Sequence, residues 1–157
     1  MNYKTNVMRI LDSKKIKYLS YDYSKTNALS GIEVATILKQ NPSHVFKTLV
    51  TISKSKNYYV FIVPVAEELN LKKAANSVGE KSIEMLKSKE LLGVTGYIHG
   101  GCSPIGMKKS FKTVINDTAL NFDTIIISAG KIGYQVELRL EDFKKIANIK
   151  VDDIIKK

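Results

Sequence analysis

The chain has 157 residues, with 25 Lys+Arg against 15 Asp+Glu, a formal net charge of +10 and 44% hydrophobic residues. That length suits one domain burying roughly 70% of its unfolded surface, and nine glycines and three prolines are too few for a disordered or fibrous chain. No apolar run approaches the roughly 20 residues of a membrane span, Met-Asn-Tyr-Lys-Thr carries no secretion signal, and one cysteine allows neither an intrachain disulfide nor a thiolate zinc cluster; a reducing, cytoplasmic setting is expected.

Val7, Met8, Ile10 and Leu11 predict a short N-terminal helix, and residues 16–23, rich in tyrosine, predict a strand. Ser30 with Glu33 three residues on is a capping box. It opens a helix with Val34, Ile37 and Leu38 as the apolar face, stopped at Asn41-Pro42-Ser43. Residues 45–53 and 58–65 are β-rich runs joined by Lys54-Ser55-Lys56-Asn57, the clearest hairpin in the chain. Residues 69–78 read as a helix closed by Gly79, and 88–92 as a shorter one. Residues 93–106 hold five glycines and Pro104, which predicts a loop whose backbone is functional. Strands follow around Val114–Ile115, at 124–128 and at 134–138, and a last helix at 141–147. The interspersed order favours α+β with a mixed sheet.

Of the cations, 23 are lysines and only Arg9 and Arg139 are arginines. Residues 1–78 carry 12 cations and 5 anions, and Lys108, Lys109 and Lys112 cluster later. Lysine is a flexible point charge, suited to sequence-blind attraction to phosphate; a solvated basic surface accounts for it equally.

Two places carry chemistry. In the loop around Gly100, Gly101 and Pro104, successive N–H groups can form an anion-binding concavity or an oxyanion hole; a plain glycine turn is the simpler alternative. Cys102 and His99 have no third orienting residue, so Cys102 reads as a small buried hydrophobe. His44 reads as a surface residue near a helix start, and two histidines make a metal site improbable. The second place is Lys47. Strand alternation puts it on the face of Val45 and Leu49, with Phe46, Thr48 and Val50 on the other. A cleft lysine and a lysine snorkelling from a sheet edge both fit.

Together these segments resemble a known family. Val-Phe-Lys-Thr-Leu (45–49), Gly-Tyr-x-x-Gly-Gly-x-Ser-Pro-x-Gly-x-Lys-Lys (96–109) and Ser-x-Gly-Lys-x-Gly (128–133) are similar to blocks of the YbaK-type Cys-tRNA(Pro)/Cys-tRNA(Cys) deacylases. Those are relatives of the editing domain inserted in bacterial prolyl-tRNA synthetase. The likeness runs from Lys15-Ile16 to Val-Asp-Asp-Ile (151–154) and takes in 63–66 and 69–73.

The resemblance implies a single α+β domain over residues 1–157, with a curved mixed β-sheet, partly barrel-like, flanked by helices. It implies a free-standing trans-editing enzyme that cleaves the ester between a wrong amino acid and the terminal adenosine of a tRNA, without metal or organic cofactor. Lys47 matches the lysine expected to hold the acceptor-end phosphate or ribose. Gly100, Gly101 and Pro104 match the loop whose backbone faces the aminoacyl carbonyl. Tyr23, Ser30, Thr48, Ser128, Gly130 and Gln135 match substrate-binding positions. Cleavage is expected to be substrate-assisted, with the cysteine thiol of the substrate attacking its own carbonyl, so that proximity supplies most of the rate. The implied partner is the tRNA acceptor end, with prolyl-tRNA synthetase or an elongation factor as a source of tRNA identity, and no membrane. Cys102 stands where the family is usually aliphatic, Gln135 where Asp is common, Ser30 where an aromatic often lies, and Ala129 in place of a common glycine; the segment after Tyr23 is about two residues shorter. These departures bear on amino-acid specificity more than on reaction class, because a pocket has only about 1–3 kcal/mol with which to tell small side chains apart. Ala-tRNA(Pro) as substrate and a non-catalytic tRNA- or synthetase-binding module are the alternatives.

Overall fold

The computed structural model describes residues 3–28 and 30–157. Helix α1 (Asn6–Ser13) is capped by Thr5, whose hydroxyl accepts from the Met8 N–H at 3.2 Å, and it buries Val7, Met8 and Leu11. Strand β1 (Tyr18–Asp22) follows, shorter than the 16–23 expected. The capping box of α2 (Gly31–Ile37) forms as read: Ser30 Oγ accepts from the Glu33 N–H, and the Glu33 carboxylate accepts from the Ser30 N–H, both at 3.1 Å. Its buried face is not the one expected. Ile37 is 47% exposed, and Ala35 packs inward beside Val34. The helix ends at the Leu38 cap, with Lys39 at φ +57°, and its inward face runs over Val34, Ala35 and the half-buried Leu38, leaving Ile37 on the flank.

The hairpin β2 (Phe46–Ser53) and β3 (Tyr58–Pro64) pairs antiparallel from Phe46↔Pro64 to Ile52↔Tyr58. β3 is covered on both faces, which explains its nearly continuous apolar run. Val60 and Ile62 enter one cluster with Val7, Leu11, Val136, Leu138 and Phe143, while Phe61 and Val63 enter a second with Ala74, Ala75, Val114 and Ile154. Burying each such side chain contributes roughly 1.5–3 kcal/mol. Helix α3 (Leu71–Ser77), with Asn70 as its cap, covers that second face.

Strand β4 (Ile83–Met85) was not expected; it pairs with the far end of β2. Helix α4 (Ser88–Thr95) runs three residues beyond the expected 88–92 and ends at Gly96 in the left-handed region. Gly93 is therefore helical, and the glycine-rich loop begins only at Gly96. Then come β5 (Lys112–Asn116), β6 (Thr124–Ser128), β7 (Tyr134–Arg139), α5 (Leu140–Ile146) and an unexpected short strand, β8 (Ile149–Asp152).

The fold is α+β with mixed pairing, as expected, but the strands form two sheets. One is antiparallel, ordered β1-β7-β6. The other is ordered β4-β2-β3-β5-β8, with β3-β5 and β5-β8 parallel. A parallel bridge, Val45↔Ile126, ties the start of β2 to β6. Among the described residues β1, β4 and β8 are each paired on one side only, so these ladders do not close into a barrel. No helix of these residues is long and apolar enough to cross a membrane.

Candidate active site

The bridge between the sheets sets the site. Val45 meets Ile126, and two residues on in the same parallel direction come Lys47 and Ser128. Ser128 pairs with Gln135, and Gln135 with Tyr21. Because side chains alternate along a strand, Ser128, Gln135 and Tyr21 form one polar row across β6, β7 and β1, and Lys47 shares the face of Val45 on β2. The neighbouring row is apolar near α2, where Ala35, Val45, Val65 and Ile126 cluster with Tyr21 against them.

Lys47 is half-buried, with Val63 of β3 as its ladder partner; β4 reaches only Thr51–Ser53 of β2, so the cleft and the sheet-edge readings of this lysine both stand. Burial lowers its amine pKa, and the carboxylates of Glu68 and Glu67 oppose that shift. Glu68 itself is ion-paired to Lys156 at 3.0 Å. Thr48 points to the other face, with Phe46 and Val50, and its hydroxyl oxygen is buried with no hydrogen-bond partner among the described residues. The structure therefore does not bring Thr48 onto the face of Lys47.

Ser128 begins the turn 128–133. Its Oγ accepts from the Gly130 N–H at 3.1 Å, and the Ala129 N–H donates to the Tyr134 carbonyl at 3.0 Å. Tyr23 meets this turn through its N–H, which donates to the Gly133 carbonyl at 2.7 Å. Gln135, 6% exposed, accepts from Gln40 Nε2 at 2.9 Å. Ser30 lies on the same side, at the start of α2, where Gly31 sits so close to Val65 that an added Cβ would fall 2.5 Å from Val65 Cγ1. Its hydroxyl is engaged as a helix cap.

The Gly100–Pro104 loop packs on the same turn. A Cβ on Gly101 would stand 3.1 Å from the Ile132 backbone nitrogen, and the exposed Gly100, at φ +88°, touches the Ile132 side chain. A tight turn closes with the Gly101 N–H on the Ile98 carbonyl at 3.0 Å. Tyr97 braces both segments: its hydroxyl donates to the Ile105 carbonyl at 2.5 Å, and its ring fills the space beside Gly130 and Gly106. Pro104 is half-buried, between buried Ser103 and Ile105. The contacts thus run from the polar row through Ser128 and its turn to the glycine loop.

Cys102 is buried, and burial pushes its thiol up to about 12, so it is a structural residue and no nucleophile. His99 is exposed. His44 is not the surface residue expected: it is half-buried, stacked on Phe122 at 4.6 Å, with Nε2 2.9 Å from the Thr124 carbonyl. The same Nε2 lies 2.9 Å from the Thr124 hydroxyl. No group of three His, Cys, Asp or Glu among the described residues is placed to hold a metal ion.

Sequence reading missed Tyr21, Gln40 and Tyr97. Tyr21 donates to Glu137 Oε1 at 2.5 Å, and Thr124 Oγ1 donates to Oε2 at 2.7 Å. Tyr21 stands two residues from Tyr23, and Tyr97 belongs to the Gly-Tyr motif, so both left a signal. Gln40 left none.

The aminoacyl-tRNA editing domain family model matches residues 26–146, and the chain belongs to that family. A protein of Enterococcus faecalis, provisionally named Cys-tRNA(Pro)/Cys-tRNA(Cys) deacylase EbsC, is 43% identical over 146 residues, which cover 92% of this chain and 89% of that one. The fold matches the crystal structure of a provisionally assigned trans-editing enzyme for prolyl-tRNA synthetase, with TM-score 0.83, 18% identity and coverage of 99% and 100%. It also matches the hypothetical protein APE2540, with TM-score 0.87, 17% identity and coverage of 97% and 100%.

Proposed function

We propose that this protein is a free-standing trans-editing deacylase, one editing domain over residues 1–157. It hydrolyses the ester of cysteine on the terminal adenosine of tRNA(Pro), with Cys-tRNA(Cys) as a second substrate. The observation that supports this reading is that the half-buried Lys47 lies two residues past the bridge of Val45 to Ile126, and Ser128, two residues past Ile126, begins the turn that seats the Gly100–Pro104 loop.

In this reading the Lys47 amine holds the acceptor-end phosphate or ribose, a contact strengthened by its half-dry setting. The Gly100 amide faces the carbonyl oxygen as it gains charge, and Gly101, whose N–H closes the turn on Ile98, holds that amide in place. Pro104 holds the loop's course, while Tyr23, Ser30, Ser128, Gly130 and Gln135 surround the amino acid. Thr48 acts from behind the sheet, without touching substrate. The substrate thiol gives up its proton as its sulfur bonds to the carbonyl carbon. The ester C–O bond breaks, the ribose oxygen takes a proton, and the cyclic thioester is then hydrolysed by water to free cysteine. Family membership and the 43% identity to EbsC support the reaction class. The tRNA is selected through prolyl-tRNA synthetase or an elongation factor, in the cytoplasm.

Ala-tRNA(Pro) is the second reading, favoured by Gln135: a neutral amide, held by Gln40, occupies a row position that an acidic side chain often takes in the family. The test is a deacylation panel of Cys-tRNA(Pro), Cys-tRNA(Cys), Ala-tRNA(Pro) and Pro-tRNA(Pro), with Lys47→Ala and Gly100→Ala beside the wild type. Hydrolysis of Cys-tRNA(Pro) that both variants lose is the expected result. Salt-sensitive binding without turnover of any of the four would establish a binding module instead.

A further inference from the structure

A second feature lies on the opposite flank of the 128–133 turn. Between α1 and the edge strand β1 there is a cleft of about 360 Å³, within the range of small-ligand pockets. Its walls include Tyr3, Tyr18 and Tyr134, with Lys4 and Asp22 at the margin. Tyr3 and Tyr134 stand with ring centroids 4.9 Å apart and planes tilted by 35°. Lys131, from the turn itself, lies 4.7 Å from the Tyr3 centroid and donates to its hydroxyl at 3.1 Å. Tyr3 is 44% exposed, so the core does not account for its ring. Residues 3–25 carry six cations against two anions. Of the nearby acids, Asp12 is paired with Lys4, and Asp22 accepts from the Ser24 N–H and hydroxyl.

Aromatic rings beside lysines, on a positive surface and next to an aminoacyl site, match the chemistry of an unpaired nucleotide: a base stacks on the rings and a phosphate meets the cations. We infer that this cleft takes an unpaired nucleotide of the RNA acceptor strand, its base on the exposed Tyr3 ring, which Tyr134 backs, and its phosphate at Lys131. The placement follows from the turn, because Ile132 seats the glycine loop while Tyr134 lines the cleft and the Lys131 amine meets Tyr3, which also lines it. The inference rests on reading the substrate as the tRNA acceptor end.

Fluorescence polarisation with two acceptor minihelices, one with the unpaired 3′ nucleotides and one blunt, tests it. The wild type is expected to prefer the overhang, and Tyr3→Ala to weaken overhang binding about tenfold, in the range of one lost stack. Tyr3→Phe keeps the ring and should keep the preference. Equal affinity for both minihelices, or overhang binding unchanged in Tyr3→Ala, would overturn the inference. In deacylation assays Tyr3→Ala should raise KM and leave kcat unchanged. A wild type that binds the overhang through Tyr3 yet hydrolyses no aminoacyl-tRNA would sustain the cleft and overturn the deacylase reading. Active enzyme whose KM ignores Tyr3 would do the reverse.

Discussion

Gly130→Ala tests how tightly the turn and the glycine loop are coupled. Gly130 has φ +85°, and an added Cβ would lie 2.9 Å from Tyr97 Cε1 and 3.0 Å from Val7 Cγ2. The left-handed backbone costs an alanine roughly 1–2 kcal/mol, and forcing a methyl into a packed site roughly 1–3 kcal/mol more. Gly79→Ala separates the two contributions, because Gly79 has φ +73° and nothing within 4 Å of its missing Cβ. The excess of Gly130→Ala over Gly79→Ala should therefore be about 1–3 kcal/mol. With a urea m-value of about 2 kcal/mol/M, that is a midpoint lower by about 0.5–1.5 M. Relief requires Tyr97 to move, which breaks its hydrogen bond to Ile105 and loosens the glycine loop. Deacylation should accordingly fall in Gly130→Ala, at a temperature where it is folded, and remain normal in Gly79→Ala. Equal midpoints for the two variants would refute the close packing of Tyr97 on Gly130.

Lys47→Met should lower deacylation at least a hundredfold, the scale of one lost charge-stabilising donor. It should also raise the urea midpoint at neutral pH: a lysine whose pKa is lowered by folding binds fewer protons folded than unfolded, so its penalty is present at pH 7 and fades as pH approaches the ordinary lysine value of 10.5. Cys102→Ala should keep deacylation within about twofold and cost about 1 kcal/mol in urea unfolding, and the native Cys102 should stay unreactive to a thiol reagent until the protein unfolds. Tyr21→Phe should cost about 1.5–3 kcal/mol, the worth of a hydrogen bond to a charged group. Since that bond raises the Tyr21 pKa from 10.0 to about 12, its stabilisation is complete below pH 10 and lost toward pH 12, and the gap between wild type and Tyr21→Phe should close over that interval.

Local features carried the legible part of the fold. The β2–β3 hairpin follows from two β-rich runs and a four-residue polar link, and α2 begins where Ser30 and Glu33 satisfy each other's backbone donors. Strand β4 left no signal, because three residues are too few to alternate; pairing with Thr51–Ser53 holds them extended. Ile37 looked buried because its spacing from Val34 fits a helical face, but the core lies on the side of Val34 and Ala35, which spacing alone does not reveal. Lys47 stood out as a charge in an apolar strand, and the glycine loop by composition. The polar row of Ser128, Gln135 and Tyr21 was not legible, since Gln40 meets Gln135 across 95 positions and Tyr21 meets Glu137 across 116. Thr48 shows the limit of reading a motif as a unit. Adjacent residues on a strand face opposite ways, so a motif containing both Lys47 and Thr48 presents only one of them to a given face.

The placement of Cys102 and His99 constrains what can attack the ester. A thiol pushed up to about 12 supplies almost no thiolate at neutral pH, and His99 is exposed on the loop. In the proposed mechanism the attacking atom comes from the substrate or from water. The two routes differ in what a cysteine-to-alanine change in the substrate should do. If the thiol attacks, alanine removes the nucleophile but little of the binding surface, so Ala-tRNA(Pro) should show a similar KM and a kcat at least a hundredfold lower, since an intramolecular attack far outruns an external one. If a water held beside the glycine loop attacks, both esters should turn over at comparable kcat. Single-turnover deacylation of the two substrates measures this directly. Comparable rates would refute attack by the substrate's own thiol while leaving the positions of Lys47 and the glycine loop intact.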